Sequence, residues 1–323
     1  PPAPSRNRRK QILVVCTDDG NLTLENGNVL KTGNNPQFLY YPLEMMRGKG
    51  FTTESFVFAT VSGKPPVLED WFMKQLPSFG GNLNDEFCES GNSAFGPTDL
   101  SKTGMNADEL KTYLKNCGIR RPADEPLKLS DVPLDALGTE YVGIFIPGGH
   151  GALVNLPESE ALGKILHKAR KLTLPVATGG HGVAALLSTT KVSGKGFAYK
   201  DYCITCFPGE FEKTEAVKIG VAPGVPKLIT QDALTEAGAV YLDKPFSFHK
   251  TDWFKFPPPL TALDHKCMDG EFEVRRFKCC CDLITVADAS SVGTLGRSAA
   301  DRFAAFANRG DAKEWFHPPK TAI

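Results

Sequence analysis

Two apolar runs end in nearly the same glycine-rich turn, and they constrain this chain more than any other feature. "YVGIFIPGGHGA" covers Tyr141 to Ala152 and "LPVATGGHGV" covers Leu174 to Val183. Such runs without polar alternation read as strands covered on both faces, the pattern of a parallel sheet. "QILVVCTDD" (Gln11 to Asp19) has the same character. Helical periodicity lies between these runs, in "SEALGKILHKARKL" and "GVAALLS", and from about Gln37 to Lys49, where Gly50 supplies a stop. Strand, helix, strand in succession predicts an α/β fold, a three-layer, doubly wound, mainly parallel sheet. Further strands are expected in "TTESFVFATVS" and "CCDLITVAD", a helix leading into a strand in "LITQDALTEAGAVYL", and a last helix in "GRSAADRFAAFANRG".

Two stretches interrupt this rhythm. Residues 64–133 are rich in Gly, Pro, Asn and Ser and read as an inserted cap or lid, and residues 246–278 read as a second irregular insertion. The 323 residues are otherwise expected to form a single domain. The 37 basic and 37 acidic residues balance, which gives no field favouring nucleic acid or an anionic membrane. No apolar run nears the roughly 20 residues of a membrane span. Nine cysteines, three of them consecutive (Cys279, Cys280, Cys281), suit reduced thiols in a cytoplasmic compartment. The pair Cys203 and Cys206 sits in a β-rich run, where a redox or metal role has little support. The basic cluster Arg6, Arg8, Arg9 and Lys10 reads as a solvated arm, and since the chain begins without Met, a lost targeting segment stays open.

In a doubly wound sheet the two glycine turns meet at the carboxyl ends of their strands, where backbone N–H groups make an anion-stabilising crevice. Neither fits a dinucleotide or P-loop pattern, so no cofactor is expected. The turn after the second run offers Thr178, Gly179, Gly180 and His181, with no cysteine or serine at its apex.

"EYVGIFIPGGHGALVNLPES", the strand, elbow and helix around His181, "NGNVLKTGNNP", "FATVSG", "YCITCFP" and "LITVADASSVGTLGRSAAD" resemble the DJ-1/PfpI superfamily, and within it the Hsp31-like branch. The resemblance implies the flavodoxin-like form of the fold, a homodimer, and chaperone or glyoxalase-type behaviour. It places Gly180 where the family carries its nucleophilic Cys and Phe38 where it carries the helix carboxylate that bonds that thiol. It also aligns the third triad position with Glu212, and the branch's metal ligands with Arg47, Thr52 and Asn116, so no metal site is expected.

What remains is His181 with Glu212 as orienting partner, facing backbone donors from Gly149, His150 and Gly180 to Gly182, with Gly179 in the turn and Phe38 and Thr178 in the pocket. A histidine near neutrality held by a carboxylate is a general acid or base. Phe38 predicts a larger, more apolar pocket. The leading expectation is a cofactor-independent lyase, isomerase or cyclase acting on an apolar or aromatic carbonyl compound. The alternatives are a non-catalytic chaperone, holdase or small-molecule binder, or a glyoxalase-type hydro-lyase in which Gly180 replaces an engineered-away Cys. His150 is expected to serve turn geometry and His167 to lie on a solvated helix face, while His249, His265 and His317 read as surface residues.

Overall fold

A computed structural model describes residues 10–69, 125–218, 222–242, 282–287 and 292–308. Six strands form one sheet in the order β10-β7-β6-β1-β4-β5, and each neighbouring pair runs parallel. They are β1 (Gln11–Cys16), β4 (Phe56–Thr60), β5 (Leu127–Lys128), β6 (Tyr141–Ile146), β7 (Val176–Gly179) and β10 (Leu283–Val286). A small antiparallel ribbon pairs β2 (Asn21–Thr23) with β3 (Val29–Lys31), and β8 (Cys203–Ile204) pairs in parallel with β9 (Val240–Tyr241). From β1 the chain winds outward through β4 to β5, and from β6 it winds the other way through β7 to β10. The carboxyl ends of β1 and β6 therefore flank a topological switch point, the usual site of a crevice in open α/β sheets.

Alternation along the central strands divides the core in two. Leu13, Val15, Ile144, Ile146 and Val176 face one layer, and Ile12, Val14, Phe58, Phe145 and Ala177 face the other. The first layer is closed by α3 (Glu160–Leu172) and by the elbow helix (Gly180–Lys191), a 3₁₀ helix. The second is closed by α1 (Pro36–Gly48) and α7 (Val292–Ala307), which supply Phe38, Leu43, Leu295 and Phe303. In chain order, α2 (Ala152–Asn155), α4 (Gly209–Lys213), α5 (Glu215–Lys218) and α6 (Thr230–Glu236) also fall between α1 and α7. Local signals set the ends of α3: Ser159 Oγ accepts from the Leu162 amide at 3.3 Å, and Thr173 turns left-handed at φ 52°.

The expected cap, 64–133, is described only at its ends, and both ends are stitched to the sheet. β5 pairs with β4 through Ala59 and Leu127, and Leu129 and Val132 are buried. At the near end the Val67 amide donates to Thr17 O at 3.2 Å and the Glu69 amide donates to Asn34 O at 3.0 Å. Residues 70–124 and the insertion at 246–278 lie outside the described residues, as do Asn116, His249, His265, His317 and the arm of Arg6, Arg8 and Arg9. His167 departs from expectation. It is half-buried, with Nε2 3.0 Å from Thr189 O of the elbow helix, because it flanks the face of Leu162, Ile165, Leu166 and Ala169 that α3 packs inward.

Candidate functional site

The turn after β6 is wedged against the loop that precedes α1. The Asn35 amide donates to Gly148 O at 2.8 Å and the Gly151 amide donates to Gly33 O at 3.0 Å. Gly149, at φ 117°, lies so close that a Cβ there would sit 2.4 Å from Asn35 N. Only glycine suits both the angle and the space. This packing delivers His150 to the crevice. The turn after β7 bends at Gly180, φ 54°, and delivers His181 beside it. The two imidazole centroids are 4.1 Å apart, with their planes inclined at 31°.

Each ring has its own buried carboxylate. His181 Nε2 lies 2.8 Å from Glu212 Oε1, and Glu212, on α4, is 1% exposed with no partner on Oε2 among the described residues. His150 Nδ1 lies 3.2 Å from Glu69 Oε1. Glu69 also accepts from Thr32 Oγ1 at 2.9 Å and from Asn35 Nδ2 at 3.4 Å. Because an ionised carboxylate only accepts, His181 Nε2 and His150 Nδ1 are the donors, and the opposite ring nitrogens are left for other chemistry.

Burial disfavours charge on His150, but the bond to Glu69 and the charges of Glu69 and Glu212 outweigh it and raise the ring above the ordinary histidine range. For His181, burial and then the positive charge of His150 prevail over Glu212 and lower it. Burial pulls Glu69 upward, yet the bond and charge of His150, the Thr32 bond and the charge of His181 hold it below the usual carboxylate range. The set favours a protonated His150 beside a neutral His181.

The sequence brought together His181, Glu212, His150 and the glycines, and the structure assembles them. It adds Glu69, Thr32 and Asn35. Glu69 falls in the stretch read as a cap, and no local pattern marks it. Phe207 also joins, its ring stacked on His181 at 4.5 Å with Phe211 edge-on to it at 5.5 Å. The only signal was its place in "YCITCFP". The expected larger pocket at Phe38 needs correction. The ring is buried against both turns: a Cβ on Gly148 would meet it at 2.8 Å, on Gly179 at 2.5 Å and on Gly180 at 3.3 Å. Phe38 thus fills space rather than opening it. Thr178 is wholly buried, its hydroxyl without a partner among the described residues and 2.8 Å from where a Gly182 Cβ would lie, so it is placed under the elbow rather than on an open wall.

His150, His181 and Glu212 bring one nitrogen or oxygen each within 4.8 Å of one another, an arrangement that could admit a cation. His181 Nε2 and Glu212 Oε1 of that set are already bonded to each other at 2.8 Å, closer than the roughly 3.4 Å between ligands on a tetrahedral zinc with bonds near 2.1 Å. Proton transfer fits the geometry better. Arg47 pairs with Glu44 at 2.7 Å and Thr52 Oγ1 donates to Glu54 at 2.7 Å. Cys203 and Cys206 are free, and burial pushes both thiols up, away from thiolate chemistry.

No family model matches the chain. A Staphylococcus aureus protein (strain bovine RF122 / ET3-1) named Protein/nucleic acid deglycase HchA is 30% identical over 230 residues, which is 71% of this chain and 66% of that protein. The same-named protein of strain Newman matches equally. The chain thus spans just under two thirds of the length of these curated relatives. The Francisella tularensis Rapid Encystment Protein 24 KDa superposes with a TM-score of 0.59 at 16% identity, covering 91% of this chain and 99% of that one. Glyoxalase III from Candida albicans superposes with a TM-score of 0.57 at 18% identity, covering 92% and 98%.

Proposed function

We propose a function from one premise: the chain belongs to the DJ-1/PfpI superfamily, in its Hsp31-like branch. Within that family it is a proton-transfer enzyme of the lyase, isomerase or cyclase type, acting on an apolar or aromatic carbonyl compound without a cofactor. The observation that carries this reading is the buried 2.8 Å contact between His181 and Glu212 at the apex of the elbow. Glu212 fixes the ring by accepting from Nε2, which leaves Nδ1 as the lone-pair nitrogen and His181 as the base. Burial and the neighbouring charge lower the ring's proton affinity, so it rests in the neutral form a base requires. Backbone amides at Gly149, His150 and Gly180 to Gly182 are the oxyanion donors, a task suited to fixed dipoles in a dry site.

The resemblance of the elbow to the family's implies that Gly180 stands at the nucleophile's position, and the side chains around it suit a site without sulfur. Phe38, not a carboxylate, packs against the elbow, so a thiol at 180 would have no acidic partner there. The apolar wall of Phe207 and Phe211 beside His181 is the reason for an apolar or aromatic substrate. A cytoplasmic homodimer completes the proposal, supported by the family relationship alone.

The test is exchange of the α-hydrogens of phenylacetaldehyde in D₂O, followed by NMR. The purified protein is expected to accelerate the exchange, and His181→Ala to reduce it by about 100-fold to 10,000-fold, the usual range for losing a general base. Equal exchange by the variant would remove His181 from the mechanism. Gly180→Cys is expected to gain no turnover of methylglyoxal. Robust turnover would instead favour a thiol enzyme deprived of its nucleophile.

A further inference from the structure

We infer that the Glu69 and His150 pair supplies the second half of this chemistry: as His181 takes a proton from the carbon beside the carbonyl, His150 gives one to the carbonyl oxygen. The inference rests on the proton-transfer reading above and deepens it. His150 becomes a catalytic acid rather than a turn residue, and Glu69 the positioning residue behind it.

Geometry comes first. The two rings project from adjacent turns of adjacent parallel strands, with centroids 4.1 Å apart. A carbonyl oxygen is separated from an α-hydrogen by three bonds, so a single substrate can present both atoms to nitrogens spaced on this scale. Glu69, 4% exposed, holds His150 at Nδ1 and is itself fixed by Thr32 and Asn35. Asn35 caps α1, its Oδ1 accepting from the Phe38 amide at 3.3 Å, and its own amide holds Gly148 O. Carboxylate, histidine and turn therefore form one rigid unit, the support a catalytic group needs. The groups acting electrostatically on His150 are Glu69 from the segment after β4 and Glu212 from α4, with His181 of the elbow helix in ring contact. Two carboxylates stand against one other imidazole, so the surroundings favour one shared positive charge, and the bond to Glu69 draws it to His150.

The step balances without an outside reagent. The α-C–H bond breaks and its proton goes to His181 Nδ1. The electron pair forms the C=C bond while the C=O π pair moves to oxygen. That oxygen takes the proton from His150 Nε2, giving a neutral enol, an imidazolium at His181 and a neutral His150. No electron is gained or lost overall, and the reverse transfers restore the site. The substrate class is accordingly an aldehyde or ketone with an acidic α-C–H beside an aromatic or apolar group, which Phe207 would contact.

The experiment compares the wild-type chain, Glu69→Gln and His181→Asn. It measures α-hydrogen exchange of phenylacetaldehyde from pH 5 to 9, together with ¹⁵N NMR of the histidine rings. Glu69→Gln keeps the shape and one acceptor but removes the charge. It is expected to slow exchange by about 10-fold to 100-fold, to move the alkaline limb of the profile to lower pH, and to shift the His150 ring titration in the same direction. A purely structural role for Glu69 would lower the rate without moving either titration. If Glu69→Gln matches wild type in rate and profile while His181→Asn is inactive, the acid role is overturned and the base role survives. A His150 ring that is neutral in the wild type at pH 7 overturns it equally. Wild-type protein inert toward the probe would bring down the underlying functional reading and this inference with it.

Discussion

The turns 148–151 and 179–182 share the sequence Gly-Gly-His-Gly, follow adjacent strands of one sheet, and each aim a histidine into the same crevice. Their physics differs in two respects. Gly149 is jammed against the backbone of Asn35 and Gly33, whereas a Cβ on Gly180 would first meet the edge of the Phe38 ring, at 3.3 Å. His150 is drawn toward the charged form and His181 toward the neutral one. Local sequence is the same, so the divergence comes from partners supplied by distant segments: Glu69 with Thr32 and Asn35 behind one ring, Glu212 behind the other. A tetrapeptide fixes where an imidazole is mounted, and the rest of the fold decides what it does with a proton.

The steric half of this comparison breaks most sharply at Gly149→Ala. The substitution demands a left-handed L-residue and puts Cβ 2.4 Å from Asn35 N and 2.6 Å from Gly33 O. Both contacts are with backbone atoms, so neither can yield by a side-chain rotation. The variant is expected to lose more than about 5 kcal/mol, enough to unfold many domains of marginal stability, and circular dichroism at 25 °C would show the loss. Phe38→Ala strikes both turns at once by emptying the space beneath Gly148 and Gly179, at about 3–5 kcal/mol in urea denaturation. Gly180→Ala should be mild by comparison. Its φ of 54° costs an L-residue about 1–2 kcal/mol, and the ring edge at 3.3 Å needs only a few tenths of an ångström of relief. Equal losses for Gly149→Ala and Gly180→Ala would show that the two turns are not sterically distinct.

These differences also explain how far the sequence could be read. The doubly wound fold was legible because β1, β6 and β7 are apolar on both faces and end in punctuation that only a strand-to-helix turn requires. His181 and His150 were legible for the same reason, being tied to those turns. Glu69 was not. It reaches the site through long-range backbone pairing of Asn34 with Val67 and of Glu69 with Asn34, in a stretch whose Gly and Pro content reads as loop. His167 misled because its charged neighbours Lys164, Lys168 and Arg170 outweigh, in a linear pattern, the packing of the adjacent Leu166 and Ala169. Phe38 misled differently. Its apolar character was plain, but whether a ring lines a pocket or plugs one depends on how closely the glycines approach, and that is a property of the assembled turns.

The electrostatic half of the comparison makes a smaller, directional prediction about stability and pH. His150 has its proton affinity raised on folding, so its contribution is complete below the unfolded value of about 6.5 and is lost as pH climbs through the higher folded value. His181 is lowered, so the folded chain resists protonating it, and stability is lost as pH falls from about 6.5 through the lower folded value. Glu69, also lowered, adds to the loss on the acid side, below its unfolded value near 4.5. The two turns therefore impose opposite slopes that meet near pH 6.5, giving a local maximum. Urea midpoints at pH 6.5 and 8.5 isolate the His150 limb, since Glu69→Gln removes its cause and leaves the lysines, thiols and surface pairs unchanged. Wild type is expected to lose stability between these two pH values by more than the variant does. Parallel losses would mean that Glu69 does not hold a proton on His150, and the contrast between the two turns would then be steric alone.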